Sequence, residues 1–87
     1  MLKTKRIPGD PKTVIALIGH IGGESLPALK AEIDAVSHDV ALELDEVTLV
    51  DVDVIHFFIE CQARGIELRG CSAYIREWIA QEENGKA

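Results

Sequence analysis

Basic residues are the scarce charge in this chain. Nine Lys and Arg stand against fifteen Asp and Glu over 87 residues, for a formal charge of −6. Nucleic-acid binding needs cationic side chains to neutralise phosphates and release counterions, so this balance argues against that class of partner. The few basic residues are also scattered. Lys3, Lys5 and Arg6 form one small group, and on a strand Lys3 and Lys5 would share a face while Arg6 took the other. Long apolar runs are missing too: no stretch reaches the roughly 18–20 residues that cross a bilayer. The opening MLKTKRIPGD has positive charge but lacks the apolar segment and small-residue cleavage site of a secretory leader. A cytoplasmic location is expected, with no membrane partner.

Cysteine is equally sparse. Cys61 and Cys71 make neither a CxxC redox pair nor a zinc-ligand spacing, and in a reducing compartment both are expected as free thiols. Cys61 falls in an apolar stretch and reads as core. Gly19, Gly22 and Gly23 fit neither the phosphate loop GxxxxGK with Ser or Thr nor the dinucleotide fingerprint GxGxxG. Ser25, Ser37 and Ser72 occupy turn or cap positions with no neighbouring His in sequence to serve as base. No catalytic residue, cofactor or metal site is expected, and the chain does not read as an enzyme.

What is present is enough apolar content for one core. Hydrophobic residues make up 47% of the chain, and a chain of this length supports a single domain. That domain is expected over residues 1–83, with 84–87 a frayed tail. Residues 1–7 read as an edge strand, closed by the turn Pro8-Gly9-Asp10-Pro11. Residues 13–21, TVIALIGHI, are β-branched and nearly all apolar, as in a strand covered on both faces. After Gly22-Gly23, Leu26, Leu29, Ile33 and Val36 recur on one helical face, with Ser25 as N-cap and Ser37-His38-Asp39 as the end. Residues 40–44 alternate as a strand, Asp45-Glu46 reads as a turn, and residues 47–50 continue the apolar content. Asp51 is placed to cap a helix over residues 52–64, apolar over most of its girth and closed by Gly65. Residues 66–69 form a short strand, and Ser72 caps a last helix over residues 73–82 with Tyr74, Ile75, Trp78 and Ile79 inward. The order β-β-α-β-α-β-α predicts an α/β fold: a small four-stranded mixed sheet with about three helices.

Residues 41–70, ALELDEVTLVDVDVIHFFIECQARGIELRG, run from an apolar strand ending in Asp through a helix-initiating turn to an apolar helix, Arg-Gly and a further strand. This order resembles the STAS domain, the module shared by sulphate transporters and bacterial anti-sigma factor antagonists. Ile18-Gly19-His20-Ile21 is similar to the family's strand-ending glycine segment, and the likeness runs from about Thr13 to the last helix. It implies a STAS-like fold and a non-enzymatic protein–protein interaction module in regulatory signalling, whose partner is an anti-sigma factor or a kinase-like regulator. Phosphorylation-regulated members carry Asp and then Ser or Thr at the head of this helix, usually followed by a small residue and Gly. Here Asp51 matches the Asp, Val52 stands at the phosphoacceptor position, and Asp53 and Val54 follow. No hydroxyl is offered to a kinase there, so docking is expected to be constitutive or set by partner abundance. One helix after the fourth strand also resembles a minimal version of the family.

The candidate partner-binding set is Asp51, Val52, Asp53, His56 and Glu60. Asp51 reads as an N-cap from the residues alone and as part of the recognition end by resemblance, and the two are compatible. Asp53 is either a fixed negative charge where relatives acquire one by phosphorylation or a favourable acid in a helix's first turn, worth a few tenths to about 1 kcal/mol. Asp53, His56, Glu60 and Arg64 fall on one helix face, with His56 and Glu60 an i, i+4 pair. Metal binding would need further converging ligands, and His20 and His38 sit on other elements. Tyr74 and Trp78 read as core anchors, Trp78 also as a contact aromatic. Two alternatives stay open: a sensor binding a nucleotide or metabolite near residues 19–23 and Asp51, and a structural homodimer.

Overall fold

Alternation of apolar and polar side chains decides which face of each strand is covered. A computed structural model describes residues 2–9, 12–36 and 39–85. The elements are β1 (Leu2–Ile7), β2 (Thr13–Ile21), a 3₁₀ turn (Gly23–Ser25), α1 (Leu26–Asp34), β3 (Val40–Val50), α2 (Val52–Ala63), β4 (Glu67–Arg69) and α3 (Ala73–Gly85). The four strands form one sheet in the order β1-β2-β3-β4. β1 runs antiparallel to β2, whereas β2–β3 and β3–β4 are parallel. The fold is α/β with a small mixed sheet and three helices, as the element order predicts.

The core lies on one face of that sheet. Ile15, Leu17 and Ile21 of β2 and Val40, Leu42 and Leu44 of β3 join a single apolar cluster with residues of all three helices. Val14, Ala16, Ile18 and Ala41, which point the other way by strand alternation, do not. The expectation that β2 is covered on both faces is therefore corrected: helices cover one face. On the other face Val14 and Ile18 are only half-buried, while the small Ala16 and Ala41 are buried. Ala41 pairs with Val14 and Glu67, and Glu67 takes Lys12 at 3.0 Å and Arg69 at 3.0 Å. Those two cations hold the Glu67 carboxyl below the usual range, the Lys12 hydrogen bond having the larger effect.

β3 is longer than the sequence suggests. Asp45 and Glu46 do not turn; they lie within an unbroken strand. The register explains how. Ala16 and Ile18 pair with Glu43 and Glu46, and Gly19 and His20 with Val47 and Leu49. At each step β3 carries one residue more than β2, the signature of a β-bulge.

α2 is the most buried helix, with Val54, Ile55, Phe57, Phe58 and Cys61 inside. α1 contributes Leu29 and Ile33, and α3 Ile75 and Ile79. α2 ends as predicted at Gly65, whose φ is +85°. The Gly65 N–H donates to the Gln62 carbonyl and the Ile66 N–H to the Cys61 carbonyl, the two bonds of a Schellman stop. α3 is capped as predicted, Ser72 Oγ accepting from the Ile75 N–H at 3.3 Å.

Three local expectations are corrected. Ser25 makes no side-chain cap bond; it belongs to the 3₁₀ turn and has helical dihedrals. Tyr74 is exposed at 52%, while Trp78 packs partly against the core. α3 continues through Asn84 and Gly85, which are helical instead of frayed. Residues 86–87 lie outside the described residues, as do Asp10 and Pro11 of the first expected turn and Ser37 and His38 at the expected end of α1.

Candidate partner-docking surface

The parallel strands β2 and β3 end side by side, Ile21 pairing with Val50. Everything beyond that pair gathers at the C-terminal edge of the sheet, where ligands and partners of α/β folds meet the chain. Asp51 is its fixed point. The residue is extended (φ −105°, ψ 177°), as an N-cap must be. Its Oδ1 accepts from the Val54 N–H at 3.1 Å and its Oδ2 from the Gly23 N–H at 2.7 Å. One carboxylate thus starts α2 and also holds the 3₁₀ turn that leads into α1. This is the missing counterpart of the Ser25 cap: the acid that serves the α1 approach comes from another element.

These bonds hold the Asp51 carboxyl below its ordinary value, the Gly23 N–H first and the Val54 N–H second. A carboxyl lowered in the folded state stabilises it above the unfolded value of about 3.9 and loses that contribution as pH falls towards the folded value. Wild type should therefore lose stability below about pH 4, and Asp51→Asn, which cannot accept through a side-chain NH₂, should lose less over the same range. Urea unfolding at pH values from about 3 to 7 checks this; parallel slopes for the two proteins would remove Asp51 from the account.

Around this anchor stand Val52 and Leu49, exposed at 42% and 51%. Asp53 is exposed, with an Oδ2 2.9 Å from where a Cβ on Gly23 would stand. The Asp53 side chain thus closes over the glycine turn instead of projecting alone. His20 is exposed and near enough for its charge to act on Asp51. Leu49 and Val52 thus stand exposed on either side of Asp51 in the chain, with Asp53 folded against the glycine turn.

The five candidate residues do not all meet. Asp51, Val52 and Asp53 share this surface. His56 turns to α3, its Nε2 lying 2.6 Å from Glu82 Oε1, so the expected His56–Glu60 pairing is replaced by a bond between helices. Glu60 faces the opposite neighbour, lining a cavity of about 170 Å³ with Lys30, Asp34, Phe57, Cys61 and Arg64. Arg64 reaches Asp34 of α1 at 3.7 Å. Leu49 is the residue that sequence reasoning missed, because residues 47–50 read only as continued strand.

Among the described residues no group of three or more His, Cys, Asp or Glu side chains could hold a metal ion. Cys61 and Cys71 are both free. Burial pushes the Cys61 thiol up to about 11, and burial raises that of Cys71 as well. Cavities of about 260 and 310 Å³ lie elsewhere, one between Ile33, Val40 and Arg64 and one along Tyr74, Trp78 and Gln81. No helix among the described residues is long and apolar enough to cross a membrane. No family model matches the chain and no curated protein matches it significantly.

Proposed function

We propose that this chain is a STAS-like, non-enzymatic interaction module of regulatory signalling. It docks an anti-sigma factor or kinase-like regulator in the cytoplasm through the head of α2. The observation that carries the reading is the exposed Leu49 and Val52, which flank in the chain an acid whose two oxygens are both engaged by backbone N–H groups. Such a pair is pre-organised: an apolar contact on a rigid frame loses little conformational freedom when a partner covers it. Exposed apolar side chains within a polar rim are also the usual make-up of an interface centre. On this reading Val52 takes the place at which phosphorylation-regulated STAS proteins carry Ser or Thr, so control at this position does not pass through a kinase.

The ligand-sensor alternative has less support. Asp51 is already engaged by two backbone N–H groups, and the cavities of about 260 and 310 Å³ lie away from it.

Affinity capture from lysate of the source organism tests the proposal, with wild type and Asp53→Lys as baits. Asp53 is exposed in the first turn of α2, so the charge reversal should cost about 1 kcal/mol and leave the domain folded, which circular dichroism checks. The expected result is a sigma regulator or its kinase retained by wild type and depleted with the variant. Equal recovery of such a regulator by both baits would remove Asp53 from the site, and recovery of none by a folded bait would overturn the reading.

A further inference from the structure

The two sides of the sheet carry opposite charge. Among the described residues β1 has no strand neighbour on its outer side. It presents Lys3, Lys5 and Arg6, all exposed, and contains no acid. At the other side β4 is short and pairs only with Ala41, Leu42 and Glu43. The rest of β3 runs on without a strand beside it there. Gly70 sits against Asp45, which leaves residues 46–50 as the open stretch. Apart from the ladder to β2, no described backbone hydrogen bond engages them. Glu46 leads this stretch, with Asp45 just before it, and both are exposed.

An unpaired strand side presents a row of N–H and C=O groups that can receive another strand. Charge decides which strand. β1 against a second β1 would set Lys3, Lys5 and Arg6 of both copies together, and the β3 stretch against itself would do the same with Asp45 and Glu46; like charges across a strand pair are unfavourable. β1 against the β3 stretch brings opposite charges together. The faces agree as well. Lys3 and Glu46 both pair with Ile18 of β2, so they project from the same face of the sheet, and Lys5 follows by alternation. That is the face without the helix core, where the side chains can meet across the junction.

We propose that β1 of one copy adds to residues 46–50 of β3 in a second copy, so that the chain self-associates head to tail through a continuous sheet. The two surfaces differ, so the contact does not close on itself and can propagate. Exposed ion pairs are screened by salt, and a charge of −6 on each copy opposes approach. The association therefore belongs to high protein concentration and low ionic strength.

Sedimentation velocity of the 87-residue chain tests this at about 20 mM and about 500 mM salt. The expected result is an apparent mass that climbs with concentration past that of two copies at low salt and returns to one copy at high salt. Lys3→Glu with Lys5→Glu should be monomeric at low salt, and so should Glu46→Lys alone. An equimolar mixture of those two variants should associate again, because each then offers the charge the other needs. Circular dichroism confirms that the variants are folded. A wild type that stays monomeric at low salt overturns the proposal, as does a dimer that stops at two copies and ignores both variants. A mixture no heavier than its components does so too.

Discussion

Phe58→Ala is expected to destabilise the protein by about 3–5 kcal/mol, enough to unfold a large share of the molecules of a domain whose total stability is about 5–15 kcal/mol. Phe58 is fully buried and is among the largest side chains in the core. It stands beside Phe57 at a ring-centroid distance of 6.1 Å, on the helix that contributes most to the interior. Removing the ring loses its transfer free energy and leaves a cavity in the apolar cluster that the helices share with the sheet. Phe58→Leu keeps most of the volume and should cost far less, by the usual tolerance for near-isosteric exchange. Urea unfolding gives both values. A loss below about 1 kcal/mol for the alanine variant would mean that α2 does not sit against β2 and β3 as described.

Gly70→Val is the second large effect, at about 3 kcal/mol. Gly70 has φ +68°, a conformation that costs an L-residue about 1–2 kcal/mol and a β-branched one more. An added Cβ would also overlap the Asp45 carboxylate and lie 3.2 Å from the Asp45 backbone nitrogen. The two causes separate in a double-mutant cycle. Asp45→Ala should relieve the overlap in the Gly70→Val background while leaving the backbone penalty of about 1–2 kcal/mol in place. Strict additivity of the two substitutions would show that Gly70 does not abut β3 at Asp45.

That contact also explains why the sequence misleads at β3. Asp45-Glu46 has the composition of a turn, and only the tertiary approach of Gly70 and the bulged pairing with β2 keep it extended. The bulges change the period as well. Leu44 and Val50 are buried and Val47 packs on the core, an inward step of three in place of the two of a regular strand. Leu49 is thereby turned outward, and a single-strand pattern carries no trace of it. The element order, by contrast, is legible because its signals are local: the β-branched apolar run of β2, the alternation of early β3, the Asp51 cap, the Gly65 stop and the Ser72 cap all act within a few residues.

The candidate site was legible to the same degree. Asp51 was found as a cap, but its second bond, to Gly23, joins residues 28 apart and has no local signature. The polar stripe on α2 was found and misassigned as one surface. Positions four apart differ by about 40° around a helix, and α2 lies between α1 and α3. That small angle sends His56 to Glu82 on one side and Glu60 and Arg64 towards α1 on the other. The spacing of Tyr74 with Ile75 and Trp78 places it inside, yet it is exposed and meets Trp78 in a tilted ring contact at 5.7 Å.

The most direct test of the docking site compares two apolar surfaces on one molecule. The regulator captured by the wild-type chain would be purified and its affinity measured for wild type, Val52→Lys and Tyr74→Lys. Both substituted side chains are exposed, so both variants should fold. The head of α2 as the docking surface predicts at least a tenfold loss, about 1.4 kcal/mol, for Val52→Lys and an unchanged affinity for Tyr74→Lys. Loss with Tyr74→Lys and none with Val52→Lys would contradict it and move the site to the outer face of α3.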